Sequence, residues 1–226
     1  MKHGVYDAIV IGAGVVGLGI TYELSKVQGL RTLTIDQAYP MSGTSGATQA
    51  WVWVHSKTPY HYGSLSKASA DRYTELQDEI GDIEYIRSGG LSPIFSKDGL
   101  LNAKTLQDEM AKANVPVDIL DRKEVLEMEP NLSQKIVGAT YSAIDGTVNP
   151  FKLIQRYHRQ AEANGAEFSF YNEVIDLEKT SFGYRVHTQQ GVFETEKLIL
   201  TAGLWSKQIG RFLEVDIPTH TSRGQI

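Results

Sequence analysis

The sequence predicts an α/β protein in which one α/β domain is interrupted by a smaller α+β domain. "DAIVIGAGVVGLG", residues 7–19, is typical of a buried strand that runs through a glycine-rich turn into a helix, and residues 31–36 follow as a second strand. From about residue 84 this βα order gives way to strands and turns, and it resumes after residue 147. We therefore expect the first domain at residues 1–83 and 147–214 and the second, incomplete, at residues 84–146 and 215–226.

Composition narrows the classes of function. The formal net charge is −5, and the Lys and Arg residues are scattered along the chain. They form no basic stripe of the kind that nucleic-acid binding requires, so we expect no nucleic-acid partner. No apolar stretch predicts a transmembrane segment and no signal peptide is recognisable, so we expect a cytoplasmic protein. There is no cysteine, which excludes disulfides and thiolate ligands, and the histidines lack metal-ligand spacing, so no metal site is predicted.

The first half predicts these further elements. A helix is expected over residues 15–28, a polar loop over 38–49, and a helix over 62–81 that turns Leu65, Ala68, Tyr73 and Leu76 to the core. Strands follow at 84–87 and 91–95, and "SKDG" at 96–99 is typical of a hairpin turn.

The second half carries clearer helix signals. Helices are expected at 103–113 and at 122–128, the latter with Asp121 and Glu124 as a capping box, followed by a strand at 136–142. A helix over 151–164 opens with Pro150 and ends at Gly165. Its His158 stands beside two arginines and is expected in solvent. Alternating strands then extend to "KLILTAG".

Gly12, Gly14 and Gly17 match the G-x-G-x-x-G pattern in the context that it requires, after a strand and at the start of a helix. The first glycine permits the tight turn, the second a close approach to a pyrophosphate, and the third close helix packing. Asp36 ends the second strand, where a carboxylate can bind ribose hydroxyls and repel the extra phosphate of NADP. This predicts a Rossmann-like dinucleotide site, with NAD and FAD both open.

A second loop, "SGTSGATQ" at residues 42–49, favours FAD, because its hydroxyls and amides suit a ribityl chain and a second face of the pyrophosphate. Together with "IVIGAGVVGLG", "LTIDQ", "DGTVNPFKLIQRYHRQAEANGAEF", "NEV", "LILTAGLWS" and "RGQ", it stands in an order that resembles the FAD-dependent D-amino-acid oxidase (DAO) family, which includes glycine oxidase, sarcosine oxidase and hydroxyproline dehydrogenase subunits. The resemblance spans the whole chain.

The resemblance implies a Rossmann-like FAD-binding domain with an inserted α+β substrate domain. It implies oxidation of the C–N bond of a small amino acid or secondary amine to an imine, by hydride transfer to the flavin. Family members are usually longer, so we expect an N-terminal portion, truncated at the C-terminus, with the substrate-binding residues beyond residue 226.

The resemblance also assigns cofactor-binding residues. Val174 would read the adenine edge through its backbone, although a plain core valine explains it as well, and Trp205 is assigned to packing. The full set is Gly12, Gly14, Val15 and Gly17 at the pyrophosphate, Asp36 and Gln37 at the ribose, Thr44, Ser45 and Gly46 in the wrapping loop, Val174, and Ala202 with Gly203 beside the phosphates.

His55 and Lys57, in "AWVWVHSKTPYHYG", are weak candidates for catalytic residues that face the flavin or the substrate. The alternative is an alternating strand with Trp51 and Trp53 on one face. Two other functions stay open: an NAD-dependent dehydrogenase, and a non-catalytic flavoprotein subunit or fragment in a homo- or hetero-oligomer.

Overall fold

The computed structural model describes residues 2–222 and residue 224, so residues 223, 225 and 226 of the predicted second domain lie outside the described residues. Helices and strands of the described chain are β1 (Lys2–Ile11), α1 (Val15–Ser25), β2 (Thr32–Ile35), β3 (Trp51–Val52), α2 (Tyr60–Ile80), β4 (Gly90–Ile94), α3 (Lys97–Lys112), β5 (Asp118–Asp121), α4 (Arg122–Met128), β6 (Gly138–Ser142), β7 (Gly146–Thr147), α5 (Pro150–Ala163), β8 (Glu167–Ser169), β9 (Val174–Lys179), β10 (Tyr184–Thr188), β11 (Gly191–Leu200) and α6 (Ser206–Gly210).

The chain divides into a first unit, Met1–Gln49 with Pro150–Ile226, and an inserted unit, Ala50–Asn149. These boundaries differ from the predicted 83/84 and 146/147. The insertion begins at residue 50 because β3 pairs with β7 and the amide of Val148 donates to the carbonyl oxygen of Ala50 at 3.0 Å. Residues 215–222 count with the first unit, where the amide of Val215 donates to the carbonyl oxygen of Gly210.

The first unit is built on a six-stranded sheet in the order β8-β2-β1-β11-β10-β9. Strands β8, β2, β1 and β11 are parallel, and β10 and β9 continue the sheet antiparallel. Ile9 and Val10 of β1 are fully buried, because β1 lies between β2 and β11 and a central parallel strand is covered on both faces. This confirms the predicted α/β, Rossmann-like class.

Helices α1 and α5 pack against each other in the first unit. The rings of Tyr22 and Tyr157 lie 5.5 Å apart between them. Thr21 of α1 is fully buried and shares a hydrogen bond of 2.6 Å with Thr34 of β2, which satisfies both hydroxyls in the core. His158 of α5 is half-buried between Phe168 and Phe170 and not in solvent, because α5 packs over β8 and the residues that follow it.

The inserted unit contains a three-stranded antiparallel sheet in the order β4-β6-β5 and a core cluster of Val125, Ile136 and Ala139. The predicted hairpin turn at 96–99 is wrong. Ser96 caps α3 by accepting a hydrogen bond from the amide of Gly99 at 3.1 Å, so the helix begins at Lys97 and not at residue 103.

Some of the other local predictions are confirmed and others are wrong. The capping box of Asp121 and Glu124 and the start of α5 at Pro150 are confirmed. Residues 84–87 form a single bridge, Ile86 to Thr147, and no regular strand. Of the α2 residues predicted to face the core, Leu76 is buried, whereas Leu65 is 68% exposed; the buried residues of this helix are Gly63, Ala70, Leu76 and Ile80.

Candidate cofactor site

Four chain segments meet at one edge of the six-stranded sheet. They follow the carboxyl ends of the parallel strands β1, β2, β8 and β11 and line a cavity of about 320 Å³, wholly within the first unit. In open α/β sheets, ligands bind outside the carboxyl ends of the strands where the strand order reverses, which here is at β1, between β2 and β11. The cavity is therefore the candidate functional site.

The glycine turn after β1 forms one wall of the cavity. Gly12 has a φ of +111°, and a Cβ there would lie 2.5 Å from the carbonyl oxygen of Thr201. A Cβ on Gly17 would lie 1.9 Å from the carbonyl oxygen of Gly12, which no side chain tolerates. Both glycines are thus required by backbone packing, while Gly14 lines the cavity itself.

Later segments of the chain hold the amides of this turn. The amide of Ala13 donates to Asp36 Oδ2 at 2.7 Å, and the amide of Val15 donates to Ser45 Oγ at 3.0 Å. Gly14, the N-cap of α1, supplies no side-chain cap. The positive end of the α1 dipole therefore faces the cavity through Gly14, Val15 and Val16, an arrangement suited to an anion.

Asp36 directly follows β2, and both of its carboxylate oxygens accept hydrogen bonds from amides of the first unit. Oδ1 accepts from the amide of Ala38 at 2.8 Å while Oδ2 accepts from Ala13. A carboxylate has about four acceptor positions, so Asp36 can still bind ligand hydroxyls. Among residues 2–222, the lining contains the carboxylates of Asp36 and Glu173 and no Lys or Arg, so these residues would hold an anionic ligand through N–H and O–H donors.

A buried asparagine, Asn172, fixes the cavity wall beside Asp36. The amide of Asn172 donates to the carbonyl oxygen of Asp36 at 2.9 Å, and its side chain donates to Ser169 Oγ and accepts from the amide of Gln190. These bonds tie together the segments after β2 and β8 and place Val174, 8% exposed, in the lining.

The remaining predicted cofactor residues fall into two groups. Gln37, Thr44, Ser45, Ala202 and Gly203 line the cavity together with those above. Gly46 and Gly17 do not line it but shape its walls. A Cβ on Gly46 would lie 2.3 Å from the carbonyl oxygen of Met41.

Sequence reasoning missed several lining residues, namely Met41, Ser42, Asn172, Glu173, Thr201 and Gln208, and it assigned Trp205 to packing. Trp205 does pack, since a Cβ on Gly43 would lie 3.3 Å from its ring, but the indole also forms part of the cavity wall. The rule that functional residues follow strand carboxyl ends would have found most of them once β8 was placed in the parallel sheet.

The two weak catalytic candidates lie in the inserted unit. His55 is fully buried, with Nδ1 2.5 Å from Asp145 Oδ2 and Nε2 3.2 Å from Thr140 Oγ1. This corrects the expectation that His55 faces a flavin or a substrate, because both ring nitrogens bind within the core. Lys57 is half-buried, with Nζ 5.8 Å from the centre of the Tyr62 ring.

The segment around His55 alternates as a strand would. Val52 and Val54 are buried, while the rings of Trp51 and Trp53 stack at 5.3 Å and Trp51 is exposed. Asp145 Oδ1 accepts from the amides of Val54 and His55, which anchors the segment beside β7.

Two classes of feature are absent from the described residues. No helix among residues 2–222 combines the length and the apolar character that crossing a bilayer requires. The same residues contain no group of three or more potential ligands with the geometry of a metal site.

Comparisons with known proteins agree with this geometry. A model of the family described as FAD dependent oxidoreductase (DAO) matches residues 7–226. The chain is 31% identical to a glycerol 3-phosphate dehydrogenase of Caloramator mitchellensis, with 92% of this chain and 44% of that protein covered. It is 29% identical to one chain of an opine oxidase of Agrobacterium tumefaciens, with 97% and 62% covered, and 29% identical to a glycine oxidase of Bacillus licheniformis, with 91% and 57% covered.

Solved structures with the same fold include a glycine oxidase. The crystal structure of glycine oxidase from Geobacillus kaustophilus matches with a TM-score of 0.85 at 26% identity, over 92% of this chain and 58% of that one. The chain thus spans 44 to 62% of the length of these curated relatives. The match of the family model over almost all of the sequence shows that the chain belongs to the FAD dependent oxidoreductase (DAO) family.

Proposed function

We propose that the protein is an FAD-dependent oxidoreductase that oxidises the C–N bond of a small amino acid or secondary amine to an imine, which water then hydrolyses. The observation that carries the proposal is the cavity at the carboxyl ends of β1, β2, β8 and β11, walled by a glycine turn, an acidic residue and a hydroxyl-rich loop. FAD is the cofactor of the family to which the chain belongs.

The residues present fit the cofactor. Gly12 and Gly17 permit the close backbone packing on which the turn depends, and the α1 N-terminus presents amides to a pyrophosphate. In this proposal Gly14, Val15, Thr44, Ser45, Ala202 and Gly203 surround the pyrophosphate and ribityl chain, Asp36 and Gln37 bind the ribose, and Val174 reads the adenine. When bound, FAD supplies the acceptor for two electrons, and the chain binds and orients it.

A C–N substrate is supported by the glycine oxidase relatives, whose names describe oxidation of an amino acid. The relative with 31% identity, a glycerol 3-phosphate dehydrogenase, supports a second candidate, oxidation of a carbon that bears a hydroxyl group. A substrate panel that includes both classes separates the two.

The test uses the 226-residue chain. After FAD is added and free cofactor is removed by desalting, the visible spectrum is recorded, and then recorded again anaerobically with glycine, sarcosine, proline, D-alanine or glycerol 3-phosphate. We expect a retained flavin spectrum that one of the amines bleaches, in this chain or in a chain of the length of its relatives. Bleaching by glycerol 3-phosphate alone would replace the C–N proposal with the second candidate, and loss of all flavin on desalting would contradict cofactor binding by this chain.

The proposal extends to partners and location. The opine oxidase relative is named as one subunit of its enzyme, which supports assembly of this chain with a second type of subunit. A flavin that no substrate bleaches until a partner chain is added would favour the alternative of a non-catalytic flavoprotein subunit. We also propose a cytoplasmic location, which cell fractionation tests.

A further inference from the structure

Asn164 and Gly165 form the only Asn-Gly pair of the sequence, and they directly follow α5. An asparagine before a glycine is chemically labile, because the next backbone nitrogen can attack the side-chain carbonyl carbon and no Cβ obstructs the attack. Both residues are exposed. The φ of Gly165 is +97°, and apart from its chain neighbours no atom lies within 4 Å of the position that a Cβ would take. The chain around the reacting atoms is therefore sterically open.

The other five asparagines of the sequence lack this combination. Asn149 precedes a proline, whose nitrogen carries no proton to lose. The remaining four precede residues that have a Cβ: Asn102 before alanine, Asn114 before valine, Asn131 before leucine and Asn172 before glutamate. These five residues serve as controls within the same chain.

Three hydrogen bonds restrain Asn164 and Gly165 in the folded protein. The amide of Asn164 donates to the carbonyl oxygen of Gln160 at 3.0 Å. The amide of Gly165 donates to the carbonyl oxygen of Glu162 at 2.9 Å. Nδ2 of Asn164 donates to Oγ of Ser25, the last residue of α1, at 3.2 Å. Attack by the Gly165 nitrogen therefore requires the end of α5 to open, and helix ends open more readily than the core.

The hydrogen bond between Ser25 and Asn164 depends on the N–H donor of the carboxamide. Ser25 Oγ donates its own proton to the carbonyl oxygen of Tyr22 at 2.7 Å, so it can only accept from Asn164. A carboxylate at position 164 has no proton to donate and would face the lone pairs of Oγ. It would also add negative charge at the C-terminal end of α5, where the helix dipole is negative.

We propose that Asn164 is a deamidation site, at which spontaneous chemistry breaks the hydrogen bond between α1 and α5. The nitrogen of Gly165 bonds to Cγ of Asn164, the Cγ–Nδ2 bond breaks, and the displaced nitrogen leaves as ammonia with the proton from Gly165. Water then adds to one carbonyl carbon of the resulting succinimide and breaks its bond to nitrogen, which gives aspartate or isoaspartate at position 164. Water is the only co-reactant, and nothing is oxidised or reduced.

Peptide mapping by mass spectrometry tests the reaction. The folded protein is incubated at mildly alkaline pH in ¹⁸O-enriched water and compared with the chain unfolded in urea. We expect the peptide that contains Asn164 to exchange its amide for an ¹⁸O-labelled acid, more slowly when folded than when unfolded, while the other five asparagines stay intact. A folded protein that keeps Asn164 intact while the unfolded chain reacts, or an equal reaction at Asn114, would overturn the proposal.

Three variants test the restraint and the chemistry. Ser25→Ala removes the acceptor of Nδ2, so the folded protein should deamidate about 3- to 10-fold faster. Ser96→Ala, which removes the cap of α3 in the inserted unit, is the matched control for general destabilisation and should leave the rate unchanged. Asn164→Gln would have to close a six-membered ring and should show no mass change at this position. An unchanged rate in Ser25→Ala would contradict the restraint.

Asn164→Asp reproduces the aspartate product. Its melting temperature should be about 2–4 °C lower than that of the wild type, as expected for the loss of one hydrogen bond in a chain of this size. Ala163→Asp is the matched charge control, because it places the same charge at the exposed end of α5 and keeps the bond to Ser25, so its loss should be smaller. In a Ser25→Ala background, Asn164→Asp should cost no more than Ala163→Asp does. Equal losses for the two aspartates in the wild-type background would overturn the proposed release of α1 from α5.

Discussion

Single residues at the carboxyl edge of the sheet determine whether the cofactor site can form. Gly17 is the strongest case, because the carbonyl oxygen of Gly12 occupies the space that a Cβ on Gly17 would need. Gly19, on the same helix, faces the ring of Tyr157 at an ordinary contact distance of 3.6 Å. Close packing therefore requires glycine at position 17 but not at position 19, although the two residues are only two positions apart.

We expect Gly17→Ala to lower the free energy of unfolding by about 1–3 kcal/mol or more and to weaken FAD binding, because the turn must move to make room for the methyl group. Gly19→Ala is the matched control and should raise stability by up to about 1 kcal/mol, since alanine is the better helix former. Urea denaturation and FAD titration of both variants check this. Equal behaviour of the two alanines would show that the close approach at Gly17 is not what constrains the turn.

Tyr6 makes the stability of the first unit sensitive to alkaline pH. Burial raises the pKa of Tyr6 to about 12, and the hydrogen bond that its hydroxyl donates to Glu167 at 2.8 Å adds to the shift. In the unfolded chain the pKa is about 10. The folded state therefore keeps a proton that the unfolded state loses, and this contribution to stability is complete below pH 10 and disappears as the pH rises to 12.

We expect the free energy of unfolding to fall between pH 10 and 12 more steeply in the wild type than in Tyr6→Phe. Denaturant titrations across this range measure the difference. Parallel pH profiles for the two proteins would exclude a shifted Tyr6.

At the level of elements, helix ends were the most predictable features. The capping box of Asp121 and Glu124 was recognisable because both residues lie within one helical turn. The amide of Asp121 donates to Glu124 Oε2 at 2.7 Å, and the amide of Glu124 donates to Asp121 Oδ1 at 2.9 Å. Ser96 was missed because "SKDG" fits both a helix start and a hairpin turn. What decides between them is the pairing of β4 with β6, which the local sequence does not encode.

We expect Asp121→Ala to destabilise the protein by about 1 kcal/mol, because the amide of Glu124 then loses its acceptor at the α4 N-terminus. Asp118→Ala, at an exposed position of β5, serves as the control and should change stability by less than about 0.5 kcal/mol. Thermal or urea denaturation distinguishes them, and a larger loss in Asp118→Ala would argue against the cap as the cause.

For the candidate site, the sequence identified the residues whose role depends on local geometry and missed those that depend on long-range contacts. Gly12, Asp36 and Ser45 stand in recognisable turns. Asn172 was missed because its role comes from bonds to residues 36, 169 and 190 in three different segments. His55 was placed wrongly for the same reason, since Asp145 and Thr140 lie far along the chain.

At the level of the whole molecule, the inserted unit begins and ends at one point. The hydrogen bond from Val148 to Ala50 and the pairing of β3 with β7 bring its two ends together. All cavity-lining residues belong to the first unit. Cofactor binding and the inserted unit are thus separable in structural terms.

We expect a chain in which a short Gly-Ser linker replaces residues 50–149 to fold and to retain FAD while losing substrate oxidation. Circular dichroism, flavin retention after desalting and anaerobic reduction measure the three properties. The same chain with Gly17→Ala is the control and should lose the flavin. A linker variant that folds but releases FAD would place part of the cofactor site in residues 50–149.

The pairing of β1 with β11 also has a consequence during protein synthesis. These strands are parallel neighbours from Lys2–Gly191 to Ile11–Leu200, so β1 finds this partner only after roughly 190 residues have followed it. At about 5–20 residues per second, the ribosome needs on the order of 10–40 s to produce β11. For that time β1, whose Ile9 and Val10 are fully buried in the folded protein, is incompletely covered, which makes it a natural binding segment for chaperones that act on growing chains.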